Sequence, residues 1–175
     1  MDLVIARPEG PDSSDLGLDV RLFGLRQTAF TFADWQAAQF GSDKANTALA
    51  GPLSDIDRDG IATLLEYALA SDPRTASTDA LPTLATTSGR LALQFERNAL
   101  ATDITLTVQA ADTLTGPWTD LAVSSSGNPF ALITAGTTIL ETTTGPLRSV
   151  EVRDLYLIGD MAHPLRFMRL RVTNP

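Results

Sequence analysis

The sequence predicts a mainly β protein, an antiparallel immunoglobulin-like or jelly-roll sandwich with a small two-helix motif on its N-terminal side. From residue 80 onwards apolar residues recur at every second position, as in Leu91, Leu93 and Phe95, which indicates strands with one buried face. Turn signals such as Gly116-Pro117 and Gly127-Asn128-Pro129 separate these runs. Short strands with frequent turns are typical of a sandwich.

The alternating pattern places about seven strands in the C-terminal part of the chain. These strands are expected at residues 91–95, 104–108, 118–123, 130–134, 137–143, 147–153 and 166–172. Two more candidates lie near the N-terminus, at residues 3–6 and 18–22. The second is either the first strand of this sandwich or the final strand of a preceding domain. The expected organisation is an N-terminal strand segment (1–30), a helix–loop–helix motif (31–79) and the sandwich domain (80–175).

The first helix of the motif has start and stop signals in the sequence. Thr31 is a good N-cap, and Asp34 three residues later completes an approximate capping box. Gly41 is a favourable C-terminal stop. We therefore expect a helix from Phe32 to Phe40.

A second short helix is expected after a polar loop that extends to residue 54. The run from Thr63 to Ala70 has an apolar stripe that includes Leu65 and Leu69. Asp72-Pro73 is expected to end this helix, because the residue before a proline avoids the helical region.

Residues 55–66 match the pattern D-x-D-x-D-G-x5-E, which in EF-hand loops surrounds one calcium ion. Calcium takes about six to eight oxygen ligands, and alternate aspartates in a tight loop direct their carboxylates at one centre. Gly60 permits the sharp turn. The expected ligands are Asp55, Asp57, Asp59, the Ile61 carbonyl, Thr63 through water, and both oxygens of Glu66. The competing interpretation is an acidic surface loop that caps the second helix.

Composition excludes several classes of function. The formal charge of −8 argues against nucleic-acid binding and for solubility and cation binding. The absence of cysteine excludes disulfides, and with a single histidine it makes zinc an unsuitable metal. No apolar run reaches the roughly 18 residues of a membrane span. The N-terminal apolar run is too short for a signal peptide, so the expectation is either a cytoplasmic chain or a processed or excised fragment.

An enzymatic function is not expected. The only histidine, His163, precedes Pro164 in a turn, and no G-x-S-x-G or matched pair of carboxylates accompanies it. Exposed aromatic rings can stack on sugars, and the candidates for such a platform are Trp118, Phe130 and Tyr156. A place in the core is the favoured interpretation of these rings.

The order of these motifs resembles a C-terminal module of large secreted bacterial proteins. The resemblance covers residues 30–175 and consists of the Trp35–Phe40 helix, the aspartate loop, the string from Leu64 to Pro73, and the β-rich tail. The isolated loop is similar to those of dockerins and thrombospondin type 3 repeats. Thr63 stands where asparagine is common, and Ala70 replaces the usual glycine.

The resemblance implies a calcium-binding, non-catalytic structural or adhesive module of an extracellular or cell-surface protein. Three alternatives remain open: a carbohydrate-binding accessory module of a polysaccharide-degrading enzyme, a secretion or attachment tail, and a filament subunit completed by a neighbour's N-terminal strand. The expected partners are calcium and either a polysaccharide or neighbouring subunits or domains.

Overall fold

The computed structural model describes residues 30–142 and 144–174. The predicted N-terminal strands at residues 3–6 and 18–22 lie outside these ranges. In the described part of the chain, eight strands form two antiparallel four-stranded sheets. The strands are β1 (Thr83–Thr87), β2 (Arg90–Asn98), β3 (Thr105–Ala111), β4 (Thr119–Ser125), β5 (Ala131–Leu132), β6 (Thr138–Glu141), β7 (Leu147–Leu157) and β8 (Phe167–Thr173). The prediction of a mainly β sandwich is confirmed.

The two sheets have the strand orders β1-β2-β7-β6 and β5-β4-β3-β8. Alternate residues of the central strands point between the sheets and form the core, because side chains of a strand alternate between its two faces. Leu93 and Phe95 of β2 lie opposite Val152 and Val150 of β7 in the strand register, and all four are buried. The second sheet contributes Leu106, Val108 and Leu121 to the same core.

The strand β1 is the one that the sequence did not predict. Its residues, Thr-Leu-Ala-Thr-Thr, show no apolar alternation, and Leu84 is 58% exposed. The strand forms because it pairs with β2 over five residues, from Thr83 opposite Gln94 to Thr87 opposite Arg90. An edge strand without a buried face has no periodic signal, so only the pairing with its neighbour reveals it.

Helix α1 (Phe32–Phe40) has the predicted bounds and caps. The Thr31 hydroxyl accepts a hydrogen bond from the Asp34 N–H, and the Asp34 carboxylate accepts one from the Thr31 N–H. Gly41 ends the helix with a φ of 56°, a conformation that glycine adopts without steric cost.

The segment expected as a polar loop contains a 3₁₀ turn (Gly41–Ala45) and a short helix, α2 (Thr47–Ala50), so the expectation of only two helices is wrong. Asn46 caps α2 by accepting a hydrogen bond from the Ala48 N–H. Helix α3 (Thr63–Leu69) ends one residue earlier than expected, because Ala70, the residue that follows it, has a left-handed conformation with φ 60°. The EF-hand-like character of the motif stays a prediction.

The helical motif packs on one end of the sandwich and shares its core. Phe32, Trp35, Phe40 and Tyr67 form an aromatic cluster with ring centroids 5.4–6.1 Å apart. Asp103, between β2 and β3, accepts hydrogen bonds from the Phe32 N–H and the Tyr67 hydroxyl, each at 2.8 Å. We call the end of the sandwich that carries the helices the motif end. The opposite, free end carries the connections that follow β1, β3 and β7.

Removal of the Tyr67 hydroxyl tests this attachment. The hydroxyl also contacts the Phe30 carbonyl, and the whole residue is buried. We expect Tyr67→Phe to lower the free energy of unfolding by about 1.5–3 kcal/mol, the usual range for a hydrogen bond to a charged group. The measurement is urea denaturation followed by circular dichroism.

Tyr156→Phe is the matched control, since Tyr156 is the other tyrosine of the chain and its hydroxyl makes no hydrogen bond to any described residue. This control should change stability by less than about 0.5 kcal/mol. Equal losses in both variants would contradict the proposed attachment.

Candidate metal centre

The loop between α2 and α3 brings together three aspartates that the sequence predicted as ligands. Asp55, Asp57 and Asp59 each place a carboxylate oxygen so that all three atoms lie within 4.8 Å of one another. Asp55 is exposed, and the other two are partly buried. Three carboxylates at this separation repel one another in their charged forms, and a cation between them would offset that repulsion.

Backbone hydrogen bonds within the loop produce this convergence. Asp55 accepts a hydrogen bond from the Gly60 N–H at 3.0 Å, and Asp59 accepts one from the Ile61 N–H at 2.8 Å. Short polar side chains that bond to the backbone two residues ahead make tight turns. Gly60 has a φ of 89°, which a residue with a side chain would adopt only with strain. Alternate aspartates therefore lie on the inside of a tight coil.

Glu66, on α3, contributes a buried carboxylate close to this cluster. The residue is 1% exposed, and its Oε1 has no hydrogen-bond partner among the described residues. Burial raises the pKa of the Glu66 carboxyl, the charges of Asp57 and Asp59 act in the same direction, and together they bring it to about 7. Glu66 is not one of the three residues whose oxygens converge within 4.8 Å. Above neutral pH the buried Glu66 carboxylate nevertheless carries a negative charge that no neighbouring positive charge of a described residue offsets.

Asp57, like Glu66, has a buried carboxylate oxygen without a hydrogen-bond partner in the described part of the chain. Its Oδ1 accepts a long hydrogen bond, 3.3 Å, from the Asp59 N–H, whereas Oδ2 is buried without a partner among the described residues. Burial raises the pKa of the Asp57 carboxyl, and the neighbouring aspartates act in the same direction. Within the described ranges, Asp57 and Glu66 each have a buried oxygen without a hydrogen-bond partner, as expected of ligands that face a cation.

The two remaining predicted ligands are buried beside the loop. Ile61 is 1% exposed. The Thr63 hydroxyl donates to the Ser54 carbonyl at 2.8 Å and lies 2.9 Å from the Ser54 hydroxyl. The roles assigned to the Ile61 carbonyl and to Thr63 through water stay predictions, and the Thr63 hydroxyl is already engaged with Ser54.

One contact of the loop has no signal in the sequence. Asp59 Oδ2 accepts a hydrogen bond of 3.0 Å from the Ser77 N–H, in the segment that leads from α3 to β1. The loop is thereby tied to the connection that enters the sandwich. Because 18 residues separate the two partners, only the folded chain brings them together.

The donor set consists of carboxylate oxygens, which suit hard divalent cations and not the metals that prefer nitrogen or sulfur ligands. The unpartnered oxygens of Asp57 and Glu66 fit such a cation as additional ligands or as neighbouring negative charge. The cluster can therefore hold a metal ion.

The other functional candidates of the sequence are engaged in local contacts. The His163 Nδ1 lies 3.0 Å from an oxygen of Asp112, and its ring stacks on Tyr156 with centroids 3.6 Å apart. The Arg169 guanidinium lies 4.0 Å from the centre of the Trp118 ring. Phe130 is only 8% exposed and packs edge-on against Phe95. Each of the three proposed sugar-stacking rings therefore has a protein group packed against it.

Fold and site together define a β-sandwich protein with an acidic cluster that can hold a cation. Comparison with models of known protein families, and with curated proteins, finds no match to this sequence. Among the described residues, no helix combines the length and the apolarity that crossing a membrane requires.

The raised pKa of Glu66 predicts how stability depends on pH when calcium is chelated. The folded-state pKa of about 7 lies above the ordinary value of 4.5, so between these values the folded state holds a proton that the unfolded state releases. The stability contributed by this proton is full below pH 4.5 and is lost as the pH rises through 7. The loss amounts to about 3 kcal/mol at most.

Glu66→Gln isolates this effect from the titration of the other acids. In chelator we expect the variant to be more stable than the native chain at pH 7.5 and equally stable near pH 4.5, as measured by urea denaturation. A stability difference that is the same at both pH values would show that the Glu66 carboxylate is not penalised in the folded state.

Proposed function

We propose that this chain is a calcium-binding, non-catalytic module with a structural or adhesive role in an extracellular protein. The observation that carries the proposal is the buried Glu66 carboxylate beside three converging aspartates. Burial of an uncompensated charge is costly, and a divalent cation removes the cost. A loop that served only as an acidic surface turn would not need a buried fourth carboxylate.

Calcium is the preferred cation for two reasons. The ligands are oxygens at the spacing of the D-x-D-x-D-G loop, and this flexible arrangement suits calcium better than the strict octahedron of magnesium. The resemblance to dockerin and thrombospondin type 3 loops supports an extracellular setting. Extracellular calcium modules bind with dissociation constants of about 10⁻⁴ to 10⁻³ M, which matches the calcium concentration of that environment.

A structural role follows from the position of the site. Glu66 and Tyr67 are adjacent on α3, and Tyr67 is bonded to Asp103 of the sandwich. Asp59 is bonded to Ser77 in the connection that leads to β1. A cation bound by this loop would therefore stabilise both the attachment of α3 to the sandwich and the segment between them.

The contacts of the remaining polar groups support a non-catalytic role. His163 is held between Asp112 and Tyr156, and the buried carboxylates of Glu141 and Asp154 are paired with Arg97 and Arg166. These groups are therefore engaged with one another within the fold. Carbohydrate binding stays an alternative that no specific contact favours, and binding to a glycan array would select it.

Calorimetric titration tests the calcium site. We expect one calcium ion per chain, and a gain of about 2.7 kcal/mol in stability when free calcium is a hundredfold above the dissociation constant. Asp55→Ala and Glu66→Ala should abolish both the heat of binding and the rise in melting temperature.

The matched control is Asp43→Asn, which neutralises an exposed acid of the 3₁₀ turn outside the loop. This variant should bind calcium like the native chain. Absence of binding by the native chain at millimolar calcium would refute the central claim.

Hydrogen exchange with and without chelator tests the structural role. We expect removal of calcium to increase exchange first in the loop and in α3, because local stability need not be uniform and the cation acts directly on these segments. The amides of β2, β3 and β7 should retain their protection. Equal loss of protection across helices and strands would show one cooperative unit, and rapid exchange of α3 with calcium present would contradict the attachment of the motif.

A further inference from the structure

A cleft of about 430 Å³ lies between the helical motif and the first sheet. One wall is the end of α3, at Leu69 and Ala70, and the other is the segment 79–81 that leads to β1. Its floor includes side chains of β2 and β7 that point away from the core, since they alternate with buried residues of the same strands. This volume is within the range of ligand clefts, about 300–1,000 Å³, and we call it the α3 cleft.

The polar groups that line the α3 cleft are mostly hydrogen-bond acceptors. Asp79 and Glu96 are exposed, and their carboxylates form no hydrogen bond or ion pair with any described residue. Gln94 donates from its amide nitrogen to Glu151, so its carbonyl oxygen remains as an acceptor. Lysine, arginine and histidine do not occur among the described residues that line the cleft. The cleft therefore favours a ligand that is positively charged and donates hydrogen bonds.

The same cleft has an aliphatic part. Leu81 and Leu147 line it and are 36% and 44% exposed, respectively. The aromatic residue in the described lining, Phe95, is only 6% exposed and belongs to the core. Guanidinium groups stack well on aromatic faces, and sugars also bind against exposed rings, so neither finds its usual partner here. An aliphatic stem that ends in an ammonium group suits this lining better.

A lysine side chain combines these properties. Its ammonium group has three donors and no acceptor, which complements a lining of carboxylate and carbonyl oxygens. Its four methylene groups can lie along Leu81 and Leu147 while the charged head reaches the polar edge of the cleft. The net charge of −8 on the whole chain also attracts a basic partner. The cleft is larger than one alkylammonium group needs, so it has room for the partner's adjoining backbone.

Both walls of the α3 cleft are tied by hydrogen bonds to the candidate metal centre. At the first wall, the Ala70 N–H donates to the Glu66 carbonyl. At the second wall, the Asp79 N–H donates to the Ser77 hydroxyl at 3.2 Å, and the Ser77 N–H donates to the Asp59 carboxylate at 3.0 Å. A cation held by Asp59 and Glu66 would therefore fix the separation of the two walls.

We propose that the α3 cleft binds a lysine side chain of a partner polypeptide, and that calcium strengthens this binding by fixing the two walls. The calcium dependence rests on the function proposed above, whereas the recognition of lysine depends on the cleft alone. Coupling between two sites is reciprocal, so the lysine ligand should raise the affinity for calcium by the same factor.

A nuclear magnetic resonance titration of the ¹⁵N-labelled chain with Nα-acetyl-lysine N-methylamide tests the proposal. We expect saturable shifts of the amide signals of Gln94, Glu96 and Ser149, which line the cleft. Saturating calcium should lower the dissociation constant about fivefold or more. The norleucine analogue, which lacks the ammonium group, should bind about tenfold more weakly, and higher ionic strength should weaken the lysine probe.

Variants of the two cleft acids identify the binding site. Glu96→Gln and Asp79→Asn should each weaken binding of the lysine probe about threefold, and the double variant about tenfold. Both side chains are exposed, so the melting temperature should not change. Asp43→Asn is the matched control, because Asp43 is an exposed acid outside the cleft. It should bind the probe like the native chain.

Several results would overturn the proposal. These are the absence of saturable shifts, equal binding of the norleucine analogue, and equal weakening by the cleft variants and the control. Shifts of the loop amides that calcium abolishes would assign the amine to the aspartate cluster instead. Butylamine that binds as tightly as the lysine probe would exclude a polypeptide partner. Calcium that binds without changing the affinity of the probe would refute the coupling, whereas failure of calcium itself to bind would refute only the calcium site.

Discussion

The attachment of α3 to the end of the sandwich is the interaction on which the rest of the structure depends. Tyr67 is fully buried between Phe32, Trp35 and the sheets, and its hydroxyl reaches Asp103. The next residue towards the N-terminus, Glu66, places its buried carboxylate beside the cluster of Asp55, Asp57 and Asp59. One short helix therefore has a face in the shared core and a carboxylate at the candidate metal centre. Any cation that acts on Glu66 acts also on the position of Tyr67.

Buried ion pairs organise both ends of the sandwich. At the motif end, Arg97 is fully buried, donates to Glu141 and to the carbonyls of the turn after β4, and lies over the Phe130 ring. At the free end Arg166 has the corresponding role for Asp154. Such pairs contribute little net stability, because desolvation opposes the attraction between the charges. They do fix the loops around them, since an unpaired buried charge would be far more costly.

The candidate metal centre was predictable in part, and the limits have a physical cause. The convergence of Asp55, Asp57 and Asp59 was predictable, because a short loop can be matched to a metal-binding pattern by sequence separation alone. The bond from Ser77 to Asp59 and the bond from Thr63 to Ser54 were not predictable. Their partners are 18 and 9 residues apart in the chain, so they become neighbours only in the folded protein.

Local order was determined by the sequence itself. Capping residues define α1 to the residue, and period-two alternation identifies the strands that bury one face, because these signals arise from neighbours along the chain. The tertiary structure alone decided the features that need residues distant in the sequence. These are the edge strand β1, the hydrogen bond from Tyr67 to Asp103, the burial of Glu66, and the joining of two loops by Arg166. Burial and long-range pairing depend on which surfaces meet after folding, and the pattern of residues along the chain does not indicate this.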